Sequence, residues 1–223
     1  MATSIKPTPR AARTDGDATR SHILATAGLL FAERGFANVT SKEICTQAGA
    51  NMAAINYHFG SREGLYEAVL LAAHDHLLDL DAMTGIATGA GDACAKFRAI
   101  YGGLLGQVIN REAGWGLRVM MRELLAPSQS MQGLARKAVL PKAKLMMGVL
   151  AEMMGVAPDH AVVQRALAFV MTQAMGLLLI PKDVPLPFSL QGEGAGLQQD
   201  LLTYVVAGLE ALRAQAGGGS ARP

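Results

Sequence analysis

The sequence predicts an all-α protein in two parts, a small N-terminal three-helix unit and a larger C-terminal helical unit. Three observations carry this. The 223 residues are 51% hydrophobic but only 5% aromatic, and they are rich in Ala, Leu and Met, which are strong helix formers. Apolar residues recur at three- and four-residue spacing, and no convincing alternating strand pattern is present. Cap and stop residues then cut the chain into helical lengths. The length is enough to bury one large or two small cores.

Residues 1–16, with Pro, Thr and Arg and no apolar period, are expected to form a disordered arm. A first helix is predicted over about 18–34, with Ile23, Ala27, Leu30 and Phe31 inward and Gly35 as its stop. Thr40 and Glu43 form a T-x-x-E capping box, so a second helix begins near Ser41 with Ile44, Cys45 and Ala48 on one face. Gly49 permits a sharp turn, because it tolerates the left-handed backbone region. Asn51 caps a third helix in which Ile55 and Phe59, four apart, point inward. Met52, Ala53, Asn56, Tyr57 and His58 fall largely elsewhere on that helix. Gly60 ends it, and Ser61 caps a fourth helix over about 62–80, with Glu63 in its first turn.

Two short helices around one glycine turn have the form of a helix-turn-helix, which places its second helix in the major groove of DNA. A purely structural hairpin has the same outline. Yet an Asn, a Tyr and a His crowded onto so short a helix make a poor core. The net charge is only +2, but residues 1–62 hold seven Lys and Arg against four Asp and Glu. The positive charge therefore sits where a polyanion would bind. Arg10 and Arg13 in the arm have two readings, contacts to DNA backbone or minor groove, or the commoner solvated tail.

The wording goes further. The stretches ATRSHILATAGLLFAERGF, VTSKEICTQAGANMAAINYHF and GSREGLYEAVL resemble the N-terminal domain of TetR-family transcriptional repressors over residues 18–65. NMAAINYHFGSREGLY resembles a subgroup whose recognition helix carries A-A-I-N-Y, and RELLAPS at 122–128 is similar to the effector domains of that subgroup. The resemblance implies an N-terminal helix-turn-helix domain and a C-terminal helical ligand-binding and dimerisation domain. It implies that Thr40, Ser41 and Arg62 grip phosphates, and that Lys42 reaches a phosphate or a guanine edge. Met52, Ala53 and Ala54 would face bases, with Asn56, Tyr57 and His58 adding polar contacts. Ala53 and Ala54 stand where many relatives carry larger or polar residues, which leaves the DNA sequence read undetermined.

The second part reads as five helices near 92–110, 112–125, 129–154, 159–180 and 196–214, punctuated by Pro127, Pro141 and Pro158. Pro141 should kink or split the long third segment. Gly85 to Gly91 reads as a linker, Pro181 to Gly196 as an extended connector and the last residues as a frayed tail. The expected units are an arm at 1–16, a DNA-binding domain at 17–84, an effector and dimerisation domain at 85–214 and a tail at 215–223. Val163, Leu167, Val170, Ala174 and Leu177 form one helical stripe, and Leu197, Leu201, Val205, Gly208 and Leu212 another. Such stripes serve a homodimer or an intrachain core; the resemblance implies a homodimer through the last two helices, reading a palindromic operator in double-stranded DNA.

Nine Met follow residue 110, a composition suited to pockets for varied apolar ligands and equally to ordinary core filling. Trp115, Arg118, Val119 and Arg122 share a helical face. That face reads either as a site for an aromatic or anionic effector, its identity unknown, or as a surface face paired with Glu123 or Glu112.

Several classes are disfavoured. Cys45 and Cys94 make no disulfide framework, which fits a reduced cytoplasm, and Cys45 is expected to be buried. The N-terminus lacks the apolar core of a signal peptide. The apolar run from Ala166 to Ile180 falls short of about 20 residues, the length of a bilayer span, so no membrane association is expected. His74 and His76 are two apart on a helix and cannot chelate together. No cofactor, metal site or catalytic constellation is indicated, and the chain is not expected to be an enzyme. The competing reading is a helical small-molecule-binding protein without DNA-binding activity.

Overall fold

The computed structural model describes residues 9–110, 114–180 and 194–218; it is helical throughout, with no strand among the described residues. The N-terminal helices are α1 (Pro9–Arg34), α2 (Ser41–Gln47), α3 (Met52–Phe59) and α4 (Arg62–Leu77), with a 3-10 turn at Phe36–Asn38. Then come α5 (Leu80–Thr88), α6 (Ala93–Asn110), α7 (Gly114–Leu125), α8 (Met131–Leu134), α9 (Leu140–Met154), α10 (Ala161–Leu179) and α11 (Gly194–Gly218).

Two expectations about the ends of elements need correction. Residues 9–16, expected in a disordered arm, continue α1 from Pro9, a residue suited to a first helical turn. The predicted linker is also partly helical. Asp79 accepts from the Ala82 N–H at 2.7 Å and starts α5. That helix buries Met83 and packs Ile86 and Ala87 on the core, a gain that overrides the poor propensity of Gly85, Thr84 and Thr88. The fourth helix accordingly stops at Leu77 rather than near residue 80. Pro141 splits its segment as expected. A π-helical turn at Ala135–Val139 joins α8 to α9, and Pro141 sits in the first turn of α9, where no N–H is needed. The connector from Pro181 and the extreme tail lie mainly outside the described residues.

The apolar side chains form two cores. One gathers α5, α6, α9, α10 and α11 around Phe97, Tyr101, Leu105 and Leu150. The other gathers α1 to α4 around Ile23, Phe31, Ile44, Ile55 and Leu65, and it also includes Val119, Leu134 and Ala138 from α7, α8 and the π turn. The boundary expected at residues 84/85 therefore differs from the packing, because α7 and α8 return to the N-terminal unit. Helix α10 has 19 residues and is long and apolar enough to cross a membrane by length and composition alone, a test that core helices also meet. Yet Val163, Ala166, Val170 and Ala174 are buried in the first core, and Gln164, Arg165 and Thr172 lie on its exposed side.

Methionine is used mostly as packing material. Met146, Met153 and Met154 are buried in the larger core, while Met120 and Met131 pack on the N-terminal one. The last two helices spend their predicted stripes inside the chain too: Val163, Val170, Ala174 and Val205 are buried, and Leu167, Leu177, Leu201 and Leu212 pack against the core. Their large exposed apolar residues are Phe169, Leu179 and Tyr204.

Candidate nucleic-acid interface

The N-terminal unit is built from short-range hydrogen bonds. Thr40 Oγ1 accepts from the Glu43 N–H at 3.3 Å, and the Glu43 carboxylate accepts from the Thr40 N–H and hydroxyl at 2.8 Å each. The same carboxylate accepts from Arg34 at 2.7 Å. These bonds hold the Glu43 carboxyl well below the usual range, at about 2, chiefly through the Thr40 N–H and then Arg34. Gly49 takes φ 57°, the left-handed turn between α2 and α3. Asn51 Oδ1 accepts from the Ala54 N–H at 2.9 Å, and Ser61 Oγ accepts from the Gly64 N–H at 3.1 Å.

This frame aims α3. Ile55 is buried and Phe59 half-buried, with the Arg20 guanidinium 5.2 Å from the Phe59 ring centroid. On the other side Met52, Ala53, Asn56 and Tyr57 are exposed, with Ala54 and His58 half-buried at the edges. Tyr57 is 85% exposed, its ring edge-to-face with that of His58 at 4.9 Å. Lys42 is exposed on α2, and neither its amine nor the Asn56 side chain bonds to a described residue. An open cleft of about 620 Å³ runs between α1 and the turn, past His22, Gly49, Ala50 and Asn51.

Two residues expected at phosphates are already engaged. The Thr40 hydroxyl donates to Glu43. Arg62 donates to the Phe36 carbonyl at 2.8 Å, stands 4.0 Å over the Phe36 ring, and its Nε is buried without a partner. Half-buried Ser41 makes no such side-chain bond to a described residue. Cys45 is half-buried rather than buried, packed on the edge of the core.

Of the face read as a candidate effector site, Trp115 and Arg122 pack on the N-terminal unit. Trp115 lies against α1, where a Cβ on Gly28 would come within 2.6 Å of its ring. Arg122 donates to the carbonyls of Ala32 at 3.0 Å and Glu33 at 2.9 Å, closing the C-terminus of α1. Arg118 alone of the three is exposed without a described partner. Trp115 and Arg122 of that helical face thus meet α1, while Arg118 faces outward.

Sequence reasoning missed the neighbouring buried groups. Glu123 is 1% exposed; its carboxylate accepts from the Tyr66 hydroxyl at 2.9 Å and from the Ser128 N–H and hydroxyl at 2.9 and 2.8 Å. Burial, and then Glu123, push the Tyr66 hydroxyl well above its ordinary value. Lys142, 3% exposed, donates to Asp75 Oδ1 at 2.5 Å and lies 3.0 Å from His74 Nδ1. Burial, with Lys142 beside it, lowers His74 to about 4. No local signal marks Glu123 or Lys142, since Arg122 directly precedes the one and Lys144 closely follows the other, and nothing in the sequence points to their partners. Among the described residues no cluster of three His, Cys, Asp or Glu is placed to hold a metal ion.

The site is thus a capped helix-turn-helix set on a helical second unit. The chain carries a TetR-family DNA-binding domain, matching "Bacterial regulatory proteins, tetR family" over residues 23–69, and a CecR-like C-terminal domain over residues 93–181. The HTH-type transcriptional dual regulator CecR of Shigella flexneri is 47% identical over 53 residues, 24% of this chain and 23% of CecR. The curated relatives are thus matched over well under half of their own length. The fold resembles the regulator FadR of Bacillus subtilis in complex with stearoyl-CoA, with TM-score 0.66, 14% identity, and 84% and 98% of the two chains covered. It also resembles AibR in complex with isovaleryl coenzyme A and operator DNA, with TM-score 0.60, 12% identity, and 82% and 96% covered.

Proposed function

We propose that the chain is a ligand-responsive transcriptional regulator of the cytoplasm, a repressor that binds a palindromic operator as a homodimer and is released by a small-molecule effector. The outward row on α3 carries this reading. Met52, Ala53, Asn56 and Tyr57 stand exposed on a helix whose opposite side is locked into a core, beside an exposed Lys42. An aromatic ring exposed to 85% has little to do inside the monomer and much to offer a DNA backbone or base edge.

In this reading Met52, Ala53 and Ala54 face bases, Asn56, Tyr57 and His58 add polar contacts, and Ser41 and Lys42 meet the backbone. Thr40 and Arg62 act as framework, since the Thr40 hydroxyl donates to Glu43 and an Arg62 guanidinium nitrogen donates to the Phe36 carbonyl. The exposed Phe169, Leu179 and Tyr204 on α10 and α11 supply an apolar face for a second copy. A short recognition helix reads only a few base pairs, so a dimer spanning half-sites about 34 Å apart provides the specificity. An effector that prefers a more widely splayed dimer would empty the operator by population shift. The relative CecR is named a dual regulator, which supports activation as a second mode.

Selection from a duplex library with a randomised core tests this. The wild-type chain should enrich a palindrome, and Tyr57→Ala and Lys42→Ala should each weaken binding about tenfold or more without loss of helicity. Unchanged specific binding in both variants would misassign the reader. Salt-insensitive, negligible affinity for all DNA would favour a helical small-molecule-binding protein.

A further inference from the structure

The end of α7 holds, on two adjacent residues, both helices that carry the reader. Arg122 grips the last carbonyls of α1 at Ala32 and Glu33. Glu123 grips α4 through the Tyr66 hydroxyl. Between those two grips lies the 3-10 turn that leads from α1 into α2. Phe36 of that turn stacks on Tyr66 at 4.5 Å, with the rings 27° apart, tilts against Phe31 at 5.7 Å and lies 4.0 Å from the Arg62 guanidinium. Arg62 opens α4, three residues after Phe59 ends α3, and also bonds the Phe36 carbonyl. A continuous line thus runs from Glu123 through Tyr66, Phe36 and Arg62 to the end of the reading helix.

We infer that Arg122 and Glu123 are positioning residues for DNA reading: they set the angle between α1 and α4 and hence the spacing at which two reading helices meet a two-half-site operator. This rests on the DNA-binding reading above. The second carboxylate oxygen of Glu123 takes the Ser128 N–H and hydroxyl, and Ser128 Oγ accepts from the Ser130 N–H at 3.1 Å. The turn into α8 is therefore fastened to the same carboxylate. A shift of α7 relative to the larger core reaches α1 through Arg122 and α4 through Glu123, and a shift of α8 reaches α4 through the same Glu123 carboxylate.

The chemistry predicts an order among variants. In Glu123→Gln the amide oxygen can serve Ser128 while the amide N–H₂ donates to the Tyr66 oxygen, so the grip weakens without leaving a bare charge. Tyr66→Phe leaves a buried carboxylate oxygen without its donor and disturbs more. Arg122 is exposed, so Arg122→Ala removes the α1 grip with little threat to folding.

The experiment uses the full chain and the duplex that the wild type selects from a randomised library. Affinity is measured for the full palindrome, for a duplex keeping one half-site, and for palindromes with the spacer changed by one or two base pairs. Arg122→Ala and Glu123→Gln should keep half-site affinity while full-site affinity falls about tenfold and the spacing preference flattens, with Tyr66→Phe larger where it folds. A full-site to half-site ratio and spacing preference equal to wild type, in folded Arg122→Ala and Glu123→Gln, would overturn the inference even if their Tm falls. If the wild type enriches no sequence, the DNA-reading assignment itself fails, and the inference with it.

Discussion

The two cores of this chain are not equivalent. The larger one is self-sufficient: its buried members all come from Met83 onward, with Leu77 at the end of α4 and Leu78 just after it at its margin. The N-terminal one is not. Its four short-range helices are completed by Val119, Leu134 and Ala138 from the second part. The difference teaches that the reader is a borrowed structure. Helices of seven and eight residues are too short to stand alone, and they depend on a wall supplied from elsewhere. Whatever moves that wall moves the reader.

The sharpest way to break this comparison is to open one cavity in each core. Leu134→Ala and Leu150→Ala both remove a side chain that is 0% exposed, so each should cost about 2–5 kcal/mol. Hydrogen exchange distinguishes them. Leu134→Ala should speed exchange at the amides of Ile44 and Ile55, whereas Leu150→Ala should speed exchange within α6 and α9. Equal effects of both variants on Ile44 and Ile55 would show one cooperative unit instead of a dependent reader.

Smaller is the effect of the reader's own caps. Thr40→Ala removes the hydroxyl that caps α2 and should cost about 1 kcal/mol in denaturant titration. If it instead costs as much as Leu134→Ala, local bonds and not the borrowed wall hold the reader.

The smallest effect is in pH, where the two regions should respond in different windows. His74, beside Lys142 where α4 meets α9, has its folded value lowered to about 4. Its contribution is fully present above the ordinary histidine value of 6.5 and is lost as pH falls toward 4. Glu43 has its folded value lowered to about 2, so its contribution is present above 4.5 and is lost between 4.5 and 2. NMR titration should therefore show perturbation at the α4–α9 joint while the Thr40 capping box is still intact. The reverse order would contradict the contacts assigned to both groups.

How much of this was legible depends on distance along the chain. Thr40 to Glu43, Asn51 to Ala54 and Ser61 to Gly64 each span three residues, and each cap was readable from spacing. The inward faces of α1 and α3 followed from periodicity, because a short amphipathic helix has one side to bury. Glu123 to Tyr66 spans 57 residues and Arg122 to Ala32 spans 90. No local pattern encodes such a partner. The spacing of Trp115, Arg118 and Arg122 groups them on one helical face, but a face does not say whether a ligand or another helix covers it. Helix α5 was missed because Gly85, Thr84 and Thr88 argue against a helix locally, and only the burial of Met83 argues for it.

Hydroxyl-radical footprinting of the selected duplex, at low and moderate salt, tests the central claim most directly. Two protected patches on one face, about 10 base pairs apart, should appear at low salt, weaken steeply as salt rises, and be lost in Tyr57→Ala. Uniform cleavage at every protein concentration, or protection indifferent to both salt and Tyr57, would contradict the assignment of α3 as a DNA-reading helix.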